Sequence, residues 1–334
     1  MFLTYVLCTL AVIQIWTFTA YYVNLYGRNS ARDHVCLFVN MFLLYFMAEG
    51  TRQHWQSYHT QYNVAWALIL ANIGLQYLIE RRHHLEEPVH AARTARMAAV
   101  LLTEAALVAL SVPFYNATQS SLLTPIAIGF GIGAVLLAGR GSCSGLVDFA
   151  HLSERAMLYV VFTFGEMIIA MASYFEGAFN LSSLYFSAMG FLIVVGVFLS
   201  YGVVYDHIID REKKNNGIGY MMIHIFIIFA LNNITTALEF MRNEEVSLLP
   251  KMAFLIGSLM MYYVFLFFTA EYAKVRCRLD WKFLLGMGGF GVVFAALMLL
   301  LRENMYVNIA LTAAAVFGIF ALLRQAKADI TSEA

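Results

Sequence analysis

The feature that most constrains this chain is a series of apolar stretches of about 18 to 25 residues, the length that a membrane-spanning helix needs. Eleven such stretches follow one another, with only short segments between them. They cover residues 2–23, 34–51, 61–80, 97–115, 121–138, 156–175, 184–206, 218–240, 250–271, 281–301 and 304–323. Backbone polar groups in hydrocarbon must be satisfied within each span, so these lengths favour helices over a β-barrel.

The composition excludes an ordinary soluble domain. Hydrophobic residues make up 61% of the 334 residues and charged residues only 13%, whereas about 25% of a soluble domain is charged. We therefore predict an all-α protein, a polytopic bundle of about eleven transmembrane helices, within a range of about ten to twelve. In this prediction residues 1–324 form a single transmembrane helical domain and residues 325–334 form a short cytoplasmic tail.

Lysine and arginine residues are distributed unequally between successive loops. Of the 21 in the chain, 17 lie in loops after odd-numbered stretches and 4 in loops after even-numbered ones. Positive charges accumulate on the cytoplasmic side, so the N-terminus is expected outside and the C-terminus in the cytoplasm. The group Arg81, Arg82, His83 and His84 is interpreted as part of this orientation signal, and it could also touch anionic lipid headgroups. Met1 leads into an apolar run without a positive region or cleavage site, which favours a membrane helix over a signal peptide.

The sixth stretch and the residues before it carry an unusual number of ionisable side chains. Arg155 and Glu166 are eleven residues apart, which at about 100° per residue places both on one helix face. Three more polar side chains fall within about 60° of Arg155 on that face: Asp148, His151 and Tyr159. Glu154 points about 120° away from it. Glu166 is expected near the bilayer midplane, where a carboxylate must face a partner or water.

Five further polar residues on other stretches extend this predicted network. His224, Asn232 and Glu239 share one face of the eighth stretch, within about 80° of one another. Asp206 ends the seventh stretch, and Glu104 lies about two turns into the fourth. The excess of acids over bases at membrane depth favours a proton or small cation as the species handled. Structural ion pairs and hydrogen bonds between helices remain an alternative explanation for all of these residues.

No motif in the chain indicates a cofactor. There is no phosphate loop, no CxxC pair, no HExxH and no GxSxG. The cysteines, Cys8, Cys36, Cys143 and Cys277, are scattered without metal-ligand spacing and are expected to be buried free thiols. We therefore expect no catalytic residue, no cofactor, no metal and no nucleic-acid partner. Membrane lipids and a proton or small cation are the expected partners, and the oligomeric state is left open.

Several motifs together resemble those of one protein family. The segment 151-HLSER-155 followed by 165-GE-166 resembles the HLxER…GE signature of the bacterial low-temperature-requirement A (LtrA) membrane protein family. The stretch 16-WTFTAYYVNLYG-27 is similar to its W…YxN pattern. Tyr205–Asp206 is similar to its Y-x-D helix end, and His224 with 237-ALEF-240 to its H…GxE helix.

The resemblance implies a polytopic protein of the bacterial inner (cytoplasmic) membrane, linked by name to growth at low temperature. It implies no defined biochemical activity. The family usually begins with a helix that carries an acidic FFDLVF-like motif, and nothing similar precedes Trp16 here. We therefore expect that this first family helix is lost or truncated.

Three functions are compatible with the sequence. The preferred one is an ion- or proton-linked transporter or channel, in which Glu166 binds the ion and Arg155, His151 and His224 assist. A second is a non-catalytic membrane scaffold or lipid-adaptation protein for growth at low temperature. A third is a membrane-embedded lipid-modifying enzyme using His151, Glu154 and Asp206, which is disfavoured because no nucleophile is paired with a base.

Overall fold

The computed structural model describes residues 2–49, 55–139, 147–172, 180–242, 247–274 and 281–332. Eleven α-helices lie in these ranges, and they correspond one to one to the eleven apolar stretches. They are α1 (Phe2–Tyr26), α2 (Ala31–Glu49), α3 (Trp55–His83), α4 (Pro88–Thr118), α5 (Leu123–Gly139), α6 (Phe149–Ala170), α7 (Leu181–Val203), α8 (Ile218–Arg242), α9 (Leu248–Phe268), α10 (Trp281–Leu300) and α11 (Met305–Ser332). The predicted all-α, polytopic helical architecture is confirmed. The predicted ends at residues 50–51 and 173–175 lie outside the described ranges.

Nine of these eleven described helices are long and apolar enough to cross a membrane: α1 to α4 and α7 to α11. The helix α5 is apolar but has only 17 residues. The helix α6 has 22 residues, but it carries Glu154, Arg155 and Glu166. The helix α5 is therefore set apart from the nine candidate spans by its short length, and α6 by its three charged residues. The orientation of the helices in a membrane stays a prediction.

The chain forms two compact units, each with its own packing. Unit 1 comprises Met1–Arg155 and Lys214–Ile225, and unit 2 comprises Ala156–Lys213 and Phe226–Ala334. In unit 1, α3 packs against α2 and α4, while α5 packs against α4 and α1. In unit 2, α7 packs against α11, and α10 contacts both α9 and α11. The single domain over residues 1–324 and the tail beyond it stay predictions.

The start of α6 lies seven residues before the predicted start at residue 156. Asp148 precedes the first helical residue, and its Oδ1 accepts a hydrogen bond from the backbone N–H of His151 at 3.0 Å. This is an N-cap, which satisfies one of the free backbone donors of the first turn. The polar residues before the apolar stretch are therefore helical, and their side chains follow helical spacing.

The ends of α7 and α9 are joined in unit 2. After α7 the chain makes a π-helical turn, Val204–Ile208, and after α9 it makes a 3₁₀ turn, Thr269–Tyr272. The backbone N–H of Asp210 donates to Tyr272 O at 2.9 Å. The N–H of Lys274 donates to Ile208 O at 2.9 Å. This short antiparallel pairing fixes the two helix ends side by side.

Candidate functional site

A cavity of about 470 Å³ opens in unit 1. Its wall is formed by the second half of α1, the turn to α2, the first half of α2, the middle of α3 and the start of α6. Most of the side chains that line it are polar: Thr19, Tyr22, Asn24, Asn29, Asp33, His34, Asn40, Gln76, Asp148, His151 and Arg155. We call this space the polar cavity. It unites three residues of the predicted network with residues of α1, α2 and α3 that the sequence did not single out.

The residues at the start of α6 form a local chain of contacts. Arg155 Nε donates to His151 Nε2 at 3.2 Å, and His151 Nδ1 lies 3.7 Å from Glu154 Oε2. The side-chain amide of Asn24 on α1 donates to Asp148 O at 3.0 Å. In this arrangement His151 accepts from Arg155 through one ring nitrogen and faces Glu154 with the other. Asp148, His151 and Arg155 lie together at the start of α6, and His151 also faces Glu154, which helical periodicity placed about 120° from the Arg155 face. Their role in an ion site stays a prediction.

The turn between α1 and α2 is fixed by reciprocal capping hydrogen bonds. Ser30 Oγ accepts from the backbone N–H of Asp33 at 3.3 Å, and Asp33 Oδ2 accepts from the N–H of Ser30 at 3.1 Å. This is a capping box with aspartate in the acidic position. The same carboxylate oxygen accepts from the N–H of Arg28 at 3.0 Å. The capping box holds Asp33 and the neighbouring His34 at the wall of the polar cavity.

A buried ion-pair cluster lies at the end of α3. The side chain of Glu80 is 0% exposed, and its two oxygens are shared between Arg28 and Arg32. Arg28 Nη2 lies 3.2 Å from Glu80 Oε2, while Arg32 pairs with Oε1 and also lies 3.4 Å from Asp33 Oδ1. A buried carboxylate requires such partners, because desolvation of an unpaired charge costs several kcal/mol. The cluster fastens the α1–α2 turn to α3.

A second buried charge, Arg93, lies in the second turn of α4 and is 1% exposed. Its Nη2 donates to the hydroxyl of Tyr21 on α1, and its guanidinium lies 5.6 Å from the centroid of the Tyr21 ring. The Tyr21 hydroxyl in turn donates to Asn216 O at 3.0 Å. Arg93 is therefore held by a phenol and a cation–π contact rather than by a carboxylate.

Glu104 is a second fully buried carboxyl group of unit 1. It lies at the middle of α4 and is 0% exposed. Gln14, at the middle of α1, donates from Nε2 to Glu104 Oε1 at 2.8 Å, whereas Glu104 Oε2 has no hydrogen-bond partner among the residues that the structure describes. Gly131, at the middle of α5, packs directly on this pair, and a methyl group there would overlap both side chains. Three helices therefore enclose one carboxyl group at mid-helix depth.

The other predicted site residues lie elsewhere. His224 is 0% exposed, and its Nδ1 contacts Tyr220 O at 2.8 Å on its own helix. Glu166 and Glu239 are exposed, and Asn232 and Tyr159 are partly exposed. Asp206 is exposed in the π-helical turn that follows α7. None of these six lines the polar cavity, and their roles in an ion site stay predictions.

The sequence did not single out Glu80, Gln14 or Arg93. It also did not predict the ion pairs that Arg28 and Arg32 form with Glu80. The two arginines had been interpreted as topology signals, and Gln14 as part of an apolar helix. One signal was available in the sequence. Glu80 ends the third apolar stretch, and Arg28 and Arg32 follow the end of the first, so the acid and the two bases are expected at the same side of the membrane. Cys8 and Cys36 are free thiols; Cys8 is buried as expected, whereas Cys36 is partly exposed, and Cys143 and Cys277 lie outside the described residues.

The eleven helices and the ionisable side chains buried among them define a polytopic α-helical membrane protein. Comparison with protein families makes this more specific. The chain belongs to the family described as bacterial low temperature requirement A protein (LtrA), which matches residues 1–322. The resemblance drawn from the sequence motifs is thereby confirmed. No curated protein and no solved structure matches the chain.

Proposed function

We propose that this LtrA family protein is a proton- or cation-linked transporter or channel of the bacterial inner membrane, and that unit 1 handles the ion. The observation that carries the proposal is the state of Glu104. It is buried at the middle of α4, with one oxygen bound by Gln14 and the other without a hydrogen-bond partner in the described part of the chain. An ionisable residue inside a membrane helix is a functional-site hypothesis by default.

The energetic balance at Glu104 favours a bound ion. A charged carboxylate at the centre of a membrane helix costs about 2.5–3.5 kcal/mol on insertion scales. One hydrogen bond from a neutral amide such as Gln14 returns only about 1–2 kcal/mol. No basic side chain of the described residues pairs with Glu104. A proton or a small cation on the free oxygen supplies the missing neutralisation.

In the proposal, the polar cavity is the entrance from which an ion approaches this carboxyl group. Thr19, on the cavity wall, lies five residues from Gln14 on α1, about 7.5 Å along the helix axis and about 140° around it, so an ion must pass around α1 to reach Glu104. Asp33, His34, Asp148 and His151 give the cavity groups that exchange protons or bind water. In this proposal water enters the polar cavity, and the ion leaves it for the Gln14–Glu104 pair.

Arg155 has a different role in the proposal. Its guanidinium is bound to His151 and borders the polar cavity, so it places a fixed positive charge at that wall. A fixed positive charge repels cations and limits how many enter a narrow polar space. Arg155 would therefore set the potential of the cavity, while Glu104 binds the ion.

The test is flux in proteoliposomes that contain a pH-sensitive dye, with an imposed proton or cation gradient. Wild-type protein, Glu104→Gln and Glu166→Gln would be compared at equal reconstitution. The two variants remove the same charge, one from a buried site and one from an exposed site. We expect wild-type protein and Glu166→Gln to conduct, and Glu104→Gln to fall to the level of empty liposomes.

Other outcomes lead to other conclusions. Loss of flux in Glu166→Gln with normal flux in Glu104→Gln would restore Glu166 as the ion site. Absence of flux in wild-type protein, with Glu104→Gln changing only thermal stability, would reject transport and favour the scaffold or lipid-adaptation function.

A further inference from the structure

The turn between α3 and α4 brings two histidines and a glutamate together. His84 follows the last residue of α3, Glu87 precedes α4, and His90 lies in the first turn of α4. Each side chain offers a ligand atom within 4.8 Å of the other two. Among the residues that the structure describes, no other group of three histidine, cysteine, aspartate or glutamate side chains meets this condition.

The spacing of these atoms matches a metal site. His84 Nδ1 lies 3.5 Å from Glu87 Oε1, and His90 Nε2 lies 3.4 Å from Glu87 Oε2. Ligand atoms bound at about 2.0–2.1 Å in a tetrahedral zinc site are about 3.4 Å apart. His84 Nδ1 is shielded from solvent and has no hydrogen-bond partner, although it faces the carboxylate. A cation between the three groups would satisfy it without a large movement.

The surroundings of His84 are those of a metal ligand. Its second ring nitrogen, Nε2, lies 3.9 Å from Glu80 Oε2. A histidine that binds a metal through one nitrogen usually directs its other N–H to a carboxylate or carbonyl, which fixes the ring. The His84 and His90 rings are also stacked, with centroids 5.1 Å apart. The stacking sets the two imidazoles side by side, and Glu80 lies close enough to favour a proton on His84 Nε2, although 3.9 Å is too long for a hydrogen bond.

Access to the three side chains is open from one side. The side chains of His84 and His90 are 19% and 22% exposed, whereas that of Glu87 is 59% exposed. A metal can therefore enter past the glutamate, and water can complete its coordination. Two imidazoles with one carboxylate suit Zn²⁺ and related divalent first-row metals better than Mg²⁺ or Ca²⁺, which prefer oxygen ligands only.

We propose that His84, Glu87 and His90 form a binding site for a divalent metal of the zinc class, which fastens the turn between α3 and α4. The sequence offered only an orientation signal at His83 and His84 and predicted no metal, because this spacing is not one of the recognised ligand motifs. The site is separate from the ion that Glu104 handles, so it stands or fails independently of the transport proposal.

The test uses the full chain in detergent, with any affinity tag removed and metals stripped by a chelator. Zn²⁺ would be titrated by calorimetry, and bound zinc would be counted by mass spectrometry after gel filtration. The variants His84→Gln, Glu87→Gln and His90→Gln remove one ligand each. Matched controls are His83→Gln and Glu86→Gln, which change exposed neighbours of the same chemical types.

We expect one zinc per wild-type chain and a zinc-dependent rise in Tm, since a ligand that binds the folded state stabilises it. Loss of a supporting residue weakens metal sites by about 10–100-fold, so each ligand variant should lose at least about 100-fold in affinity. The controls should stay within about threefold of wild type. Stoichiometry below one, or equal losses in the controls and the ligand variants, would overturn the proposal. If the metal-free ligand variants have the same Tm as metal-free wild-type protein, their weaker zinc binding is due to the lost ligand and not to misfolding.

Discussion

Unit 1 and unit 2 are built from similar apolar helices, but they bury different polar groups. Unit 1 encloses Glu80, Arg93 and Glu104, and most of the residues that line its polar cavity of about 470 Å³ are polar. Unit 2 has a cavity of about 300 Å³ that is lined mainly by apolar residues of α9, α10 and α11. Of the Asp, Glu, Lys and Arg side chains in the described part of unit 2, only Lys251 is buried.

The difference lies in the buried ionisable groups rather than in the hydroxyls. In unit 2 the hydroxyls of Ser200, Ser258 and Thr312 donate to carbonyls four residues earlier on their own helices, and in unit 1 the hydroxyl of Thr17 does the same. Such bonds are local and need no neighbouring helix. In unit 1, Glu80 and Glu104 depend on groups 48 to 90 residues away in the sequence. Ionisable groups buried inside membrane helices are functional-site hypotheses by default, and this is why the ion proposal concerns unit 1.

The largest expected effect is on stability: loss of a carboxylate should destabilise unit 1 but not unit 2. Glu80→Ala removes the common partner of Arg28 and Arg32 and leaves a void at a side chain that is 0% exposed, so we expect a loss of about 3 kcal/mol. Glu271→Ala in unit 2 removes an exposed carboxylate and should stay within about 0.5 kcal/mol. Unfolding in detergent, followed by circular dichroism, measures both. Equal losses in the two variants would show that unit 1 does not depend on its buried charges.

A smaller effect is expected at the glycines of α5. Gly131→Ala forces a methyl group into the Gln14–Glu104 pair, and overpacking of this kind costs about 1–3 kcal/mol. Gly133→Ala, on the same helix but with open space, should be neutral or stabilising by up to about 1 kcal/mol, because alanine favours helix. The same unfolding assay compares them. A tolerated Gly131→Ala would argue against close packing around Glu104.

The smallest effect should be equal in the two units, because it involves neutral groups. Tyr62 in unit 1 donates to Cys8 O at 2.9 Å, and Tyr262 in unit 2 donates to Val197 O at 2.9 Å. Both side chains are fully buried. Tyr62→Phe and Tyr262→Phe should each cost about 1 kcal/mol. A much larger loss in one unit would mean that the contrast between them extends beyond ionisable groups.

The helices were predictable because each is recognised from its own apolar length. The position of Asp148, His151 and Arg155 on one helix face was predictable for a similar reason: helical spacing of three and four residues is local. The contact between Glu154 and His151 was not predicted. Periodicity also placed Glu166 on the same helix face as Arg155, but it could not show whether neighbouring helices bury that position. In the structure Glu166 is exposed.

The long-range contacts could not be predicted from one sequence. Gln14 and Glu104 are 90 residues apart, and nothing in either apolar helix shows that they meet. Arg28 and Arg32 were read as topology signals because their position at a helix end is sufficient for that role. Their pairing with Glu80 depends on how α1, α2 and α3 pack, which a single sequence does not encode in any local pattern.

The buried position of Glu80 also determines how unit 1 responds to temperature. Hydration of charged groups becomes more favourable as temperature falls, so the desolvation cost of keeping Glu80 between Arg28 and Arg32 rises on cooling. We therefore expect the ion pairs that hold the α1–α2 turn, which forms part of the wall of the polar cavity, to weaken on cooling.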